Sequence, residues 1–216
     1  MIAIFDWDGT LMDSTGKIIA CMQKAAERSG IEVLADKTIA NIIGLGLPEA
    51  VRVLYPELDL QRAEVLRASY SHFFIHEDNT PCALYPGVEE GLELLLQHSI
   101  PLAVATGKSR RGLDRILGQL GWMERFSVTR CADETASKPN PLMLKEILNA
   151  LNVNAESAVM VGDTEYDLAM AATLGMPHLA LSYGAHEAHR LLAYSPELCT
   201  DQFAQVVDWI VAAADK

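Results

Sequence analysis

The chain has 216 residues, of which 50% are hydrophobic and 21% charged, and its acidic excess gives a formal net charge of −12. That length can bury a sizeable core, and the composition is that of a globular protein, neither disordered nor fibrous. The charge argues against nucleic acid or an anionic membrane as a partner, and no apolar run approaches the roughly 18 residues needed to cross a bilayer.

Cys21, Cys82, Cys131 and Cys199 are scattered and form no close pair. No basic leader or cleavage site precedes the first apolar run, so the expectation is a cytoplasmic protein with reduced thiols, neither disulfides nor a zinc site. An anionic substrate would need a local positive site in so acidic a chain, supplied by lysines and a metal.

Ile2, Ala3, Ile4 and Phe5 read as a short buried parallel strand that stops at Asp6-Trp7-Asp8-Gly9-Thr10. In extended chain, residues i and i+2 point the same way, so Asp6 and Asp8 can face one small volume. Two carboxylates about 4 Å apart repel by about 4 kcal/mol at an effective dielectric of about 20. A shared proton or a divalent cation can offset that, and a carboxyl with an ordinary pKa of about 3.9 favours the cation.

Residues 15–29 then read as a helix closed by Gly30. Helical signals continue over 36–55, broken at Ile43-Gly44-Leu45-Gly46-Leu47-Pro48, and return over 59–76 with Ala63, Leu66, Tyr70, Phe73 and Phe74 at helical spacing. The polar, proline-bearing stretch 77–87 reads as a linker. Beyond it short apolar strands alternate with helices: helix 88–98, strand 101–106, helix 109–120, strand 126–130, helix 141–151, strand 157–162, helix 164–174, strand 178–182 and helix 201–214. This is the pattern of an α/β fold, a Rossmann-like parallel sheet with helices on both faces. The helical block interrupts it after the first strand. The expected division is therefore a core of 1–14 and 82–216 carrying an inserted all-α cap at 15–81.

Open parallel sheets bind ligands outside the carboxyl ends of their strands. The residues directly after the apolar runs are Asp6 and Asp8, Thr106-Gly107-Lys108-Ser109, Ser137-Lys138-Pro139, and Gly162-Asp163 with Asp167 one turn on. Each has an ordinary structural explanation. Thr106 and Ser109 can cap a helix, Lys138 can be a solvated loop lysine, and Asp163 can be an N-cap with Asp167 on a solvated face. Independent caps have no reason to gather carboxylates, a hydroxyl and lysines on one sheet edge. Phosphoryl transfer needs that set: a nucleophile, an acid/base, a hard cation and donors for the phosphoryl oxygens.

In their order and spacing, Asp6-x-Asp8-Gly9-Thr10, Thr106, Lys138-Pro139 and Gly162-Asp163-x-x-x-Asp167 resemble the four motifs of the haloacid dehalogenase superfamily. The helical insertion and Tyr85-Pro86-Gly87-Val88 resemble its phosphoglycolate phosphatase-like branch. Trp7, between the two aspartates, is bulkier than the usual aliphatic residue, and Gly107 stands where that branch often has asparagine; both bear on the shape of the substrate pocket.

The resemblance implies a Mg²⁺-dependent phosphatase acting on a small phosphorylated metabolite such as phosphoglycolate or a sugar phosphate. Asp6 would be the nucleophile and Asp8 the acid/base. Asp6, the Asp8 backbone carbonyl and Asp163 would hold the metal, and Asp167 would orient them. Thr106, Gly107 and Lys138 would bind the phosphoryl group. A phosphomutase of the β-phosphoglucomutase type and an inorganic pyrophosphatase are the alternatives on this scaffold, and the chain is expected to be a monomer or homodimer. The glycine turn at 43–47 is the candidate specificity loop, since paired glycines permit close approach. Lys108 is a further candidate for phosphate binding. His186 and His189 are expected to be ordinary surface histidines.

Overall fold

Residues 1–214 are described in the computed structural model. The chain begins with β1 (Ile2–Phe5), all four residues buried, and turns through the acidic loop into the short strand β2 (Met12–Asp13). Four helices follow: α1 (Thr15–Arg28), α2 (Asp36–Ala40), α3 (Leu47–Leu54) and α4 (Leu60–His72), the last running on into a π-helical turn at Phe73–Glu77. The chain returns through β3 (Ala83–Leu84), antiparallel to β2, so the two connections form a small ribbon.

Alternating helices and strands come next: α5 (Val88–Gln97), β4 (Leu102–Thr106), α6 (Arg110–Leu120), β5 (Val128–Cys131) and α7 (Leu142–Leu151). Then come β6 (Ala158–Gly162), α8 (Glu165–Ala172), β7 (His178–Leu181), α9 (Ala188–Leu192), β8 (Leu198–Thr200) and α10 (Phe203–Ala214). The main sheet is parallel, ordered β5-β4-β1-β6-β7-β8. Alternation along β1 sends Ala3 and Phe5 into a cluster with Leu92, Val104, Phe203 and Val207, beneath α5 and α10. Ile2 and Ile4 go the other way, into a cluster with Met143, Ile147, Met160 and Met170 from α7, β6 and α8. With β1 central, whatever follows Phe5 stands at the middle of the sheet's carboxyl edge.

The helical insertion has its own apolar cluster, including Met22, Ala26, Ile39, Val51, Leu54 and Leu66. It is the cap expected from the helical run. Several details differ from the sequence reading. The strand expected at 126–130 lies at Val128–Cys131, because its pairing with Ala103–Thr106 sets its register. The stretch read as a linker contributes β3, and β2, β8 and the π-helical turn were not expected. Strands of two or three residues are too short to show a period.

Candidate active site

Register on either side of β1 assembles the site. Phe5 lies opposite Val104 on β4 and Val161 on β6, so Asp6, Thr106 and Asp163 emerge together at the carboxyl edge. Asp6 is fixed by its own N–H, which donates to the Val161 carbonyl at 3.0 Å. Lys138 reaches it from the loop after β5. The Lys138 Nζ lies 2.6 Å from Asp6 Oδ1 and 2.6 Å from Asp167 Oδ1, and all three side chains are buried. Burial alone would lower the Lys138 pKa; Asp167 and Asp6 overcome it and hold the ammonium above its ordinary value.

Asp167 is not a solvated helix residue. It closes a capping box at the start of α8: the Thr164 N–H and hydroxyl donate to Asp167 Oδ2 at 3.1 and 2.6 Å, and Thr164 is the N-cap. Both Asp167 oxygens are thereby engaged. Asp163, one residue before the cap, accepts from the Thr10 hydroxyl at 2.6 Å and the Ala185 N–H at 2.7 Å.

Oxygens of Asp6, Asp163 and Asp167 lie within 4.8 Å of one another. Burial pushes the Asp6 carboxyl well above the ordinary range, Lys138 opposes it, and Asp167 and Asp163 add to it. Asp163 is pushed up to about 7 by burial and by the Asp167 charge, against the Ala185 and Thr10 hydrogen bonds. Asp6 Oδ2 is buried and has no hydrogen-bond partner among the described residues. Desolvated carboxylates with one left unsatisfied form a cradle for positive charge. Gly9, at φ +86°, and Gly184 press on the Asp163 carboxyl, and a Cβ at either would collide with it.

Asp8 sits apart from this trio. Its carboxylate accepts from the Ser14 hydroxyl and pairs with Lys108 Nζ at 2.9 Å. Trp7, between the aspartates, points the opposite way into the core, packing edge-on to Trp122 and Phe126 at 6.4 and 6.1 Å. Its bulk therefore leaves the pocket untouched, contrary to the sequence expectation. Thr106 is fully buried, and its hydroxyl accepts the Lys108 N–H at 3.2 Å.

The cap turn closes over this edge. Gly46 N–H donates to the Ser137 hydroxyl at 2.8 Å, and a Cβ on Gly107 would stand 2.6 Å from the carbonyl oxygens of Gly44 and Leu45. A side chain at 107 has no room beneath the turn, which accounts for glycine there. Asp6, Asp8, Gly107 and Lys108 from the core, with Ile43, Gly44 and Leu45 from the cap, line one cavity of about 520 Å³.

His186 corrects another expectation: it is buried. Its Nδ1 lies 3.1 Å from the Glu165 N–H and its Nε2 3.2 Å from the Asn41 carbonyl, so it joins core to cap. His189 is exposed beside Glu187. Sequence reasoning also missed Thr10, Ser14 and Ala185 as partners of the site aspartates. Ala185 lies in the loop after β7, at the edge where parallel sheets bind ligands.

The profile of the haloacid dehalogenase-like hydrolase family matches residues 3–181. A protein named probable phosphatase IndB, from Dickeya dadantii, is 32% identical over 95% of this chain and 91% of its own. A phosphoglycolate phosphatase from Psychrobacter arcticus is 29% identical over 98% of this chain and 96% of its own. Among solved structures, one described as a predicted phosphoglycolate phosphatase from Haemophilus somnus superposes with a TM-score of 0.87 at 22% identity, covering 97% of both chains, a likeness of fold. The chain is an enzyme of the haloacid dehalogenase-like hydrolase family.

Proposed function

We propose that this hydrolase is a Mg²⁺-dependent phosphatase that cleaves phosphate monoesters through an aspartyl-phosphate on Asp6. The observation that carries the reading is the division of labour at Asp6. Lys138 takes Oδ1 and leaves Oδ2 a buried, unpartnered oxygen on a residue that lines the cavity. An oxygen so held has few tasks other than binding a cation or attacking an electrophile.

Attack by an Asp6 oxygen on phosphorus breaks the bond to the leaving-group oxygen, and Asp8 donates a proton to that oxygen. Asp8 then takes a proton from the water that hydrolyses the acyl phosphate, which regenerates Asp6. Ser14 and Lys108 hold the Asp8 carboxyl for both transfers. Lys138 offsets charge on Asp6, and with Thr106 and Gly107 it supplies the phosphoryl-binding side of the site. The donor set fits Mg²⁺, a hard cation with oxygen ligands, which Asp6, Asp163 and the Asp8 carbonyl would hold. Asp167, with both oxygens engaged, would orient them. When bound, the ion supplies Lewis-acid neutralisation of phosphoryl charge.

Release of phosphate from a panel of monoesters, with Mg²⁺, with chelator and with Asp6→Asn, tests the reading. Metal-dependent release that disappears in the variant is expected. Near-normal turnover by Asp6→Asn would overturn the covalent scheme.

A further inference from the structure

The cavity wall beyond the carboxylates is mostly apolar. Ile18, Met22, Ile42, Ile43, Tyr70 and Phe74 contribute to it. At about 520 Å³ it falls in the range that encloses drug-sized ligands, well beyond what a two-carbon phosphate fills. Its aromatic wall is Tyr70 and Phe74, their ring centres 5.8 Å apart, and Phe74 stands in the π-helical turn that ends α4.

Cations gather about that ring, among them Lys17, whose Nζ lies 5.0 Å from its centre. Lys108 Nζ, paired with Asp8, lies 5.0 Å from the Phe74 ring centre, and the Arg115 guanidinium lies 6.0 Å from it. Asp8, Lys108, Phe74 and Arg115 therefore lead outward from the acid along one wall. Arg111, one helical turn before Arg115, lines the same cavity. Neighbouring Arg110, by contrast, is spent on Asp114, Thr129 and Glu134. Neither Arg111 nor Arg115 forms an ion pair among the described residues, and the Arg115 Nε is buried without a hydrogen-bond partner. Asp133, the other carboxylate on this part of the lining, already accepts the Arg110 N–H at 2.9 Å. Arg115 is half-buried and Arg111 exposed, and a buried, unpartnered Nε is a donor that lacks its acceptor.

We infer that the substrate is a phosphate monoester whose leaving group has a flat apolar body, stacked along Phe74 and Tyr70, and a remote anionic group bound by Arg111 and Arg115. The inference rests on the phosphatase reading and names the class of substrate for that site. A polyhydroxylated sugar would leave its hydroxyls unpaired against this wall. A two-carbon acid would leave most of the cavity of about 520 Å³ unfilled.

Three compounds test it on the wild-type chain with Mg²⁺: phenyl phosphate, 4-(carboxymethyl)phenyl phosphate and phosphoglycolate. The two phenols leave with nearly equal ease, so their ratio reports the remote acid. The expected kcat/KM for the carboxymethyl compound is at least about tenfold above phenyl phosphate, chiefly through KM, and phosphoglycolate is the poorest. Arg111→Gln with Arg115→Gln brings the ratio of the two aryl compounds close to one. Thermal melting checks that the double variant is folded, and the wild-type preference is a measure in its own right. Release from all three with equal aryl rates, with phosphoglycolate best, or with the ratio intact in the double variant overturns the inference and leaves the phosphatase standing. No release from any of the three overturns both.

Discussion

Lys138 occupies the position where a single side chain decides both stability and chemistry. Its ammonium is buried against two carboxylates at 2.6 Å each, with a third, Asp163, close by. Removing one partner of a buried ion pair commonly costs about 3–5 kcal/mol, because the remaining charge is left uncompensated. Lys138→Met should therefore lose turnover and about that much stability in urea unfolding at pH 8. The same variant should recover stability as the pH falls, because protonation removes the repulsion that Lys138 no longer offsets. A stability loss under about 1 kcal/mol at pH 8 would mean the carboxylates are solvated enough to dispense with it.

At the scale of elements, one contact ties together the two ends of the cap and another seats the cap turn on the core, and they respond to different perturbations. Asp78, on the return from the cap, accepts from Lys24 Nζ of α1 at 2.6 Å and from the Thr80 N–H at 2.8 Å. Those hydrogen bonds hold its carboxyl down to about 2. A carboxyl depressed in the folded state contributes stability above its unfolded pKa of about 3.9, and that contribution is lost as pH falls through the folded value. The Tm difference between wild type and Asp78→Asn should be largest at pH 6 and shrink between about pH 4 and pH 2. A constant difference would assign the effect to packing. The second contact is steric. A methyl at Gly107 meets the Gly44 and Leu45 carbonyls, so Gly107→Ala should push the cap turn off the core edge. Cap closure completes the site, so kcat and KM should both worsen, by about tenfold or more in kcat/KM, with only a small change in Tm. A large fall in Tm with unchanged kinetics would show that the contact is structural alone.

For the molecule as a whole, the parts legible in sequence were those with a repeating physical signal. Apolar runs of four to six residues marked the central strands, helical spacing marked the cap, and the rule of strand ends located Asp6, Asp8, Thr106, Lys138 and Asp163 at one edge. What stayed hidden depends on contacts between segments far apart in the chain. His186 reads as a surface histidine until Asn41 of the cap, 145 residues away, covers it. Trp7 reads as a pocket residue until its register sends it to Trp122. The β2–β3 ribbon leaves no period in so few residues, yet it is where both connections between core and cap run side by side. A paired, two-strand connection is a natural hinge, since the cap can swing about it without breaking the main sheet. The contacts that oppose the swing lie on the far side, at Gly46 with Ser137 and at Asn41 with His186. If the cap opens to admit substrate, amides of the 43–47 turn exchange with solvent faster than those of α5, which packs on the core sheet. Hydrogen exchange with and without Mg²⁺ plus orthovanadate, a mimic of the transferring phosphoryl group, measures this. Protection that rises at 43–47 and stays level in 88–97 is the expected result. Equal protection in both states at 43–47 would mean the cap turn is fixed and the substrate enters by another route.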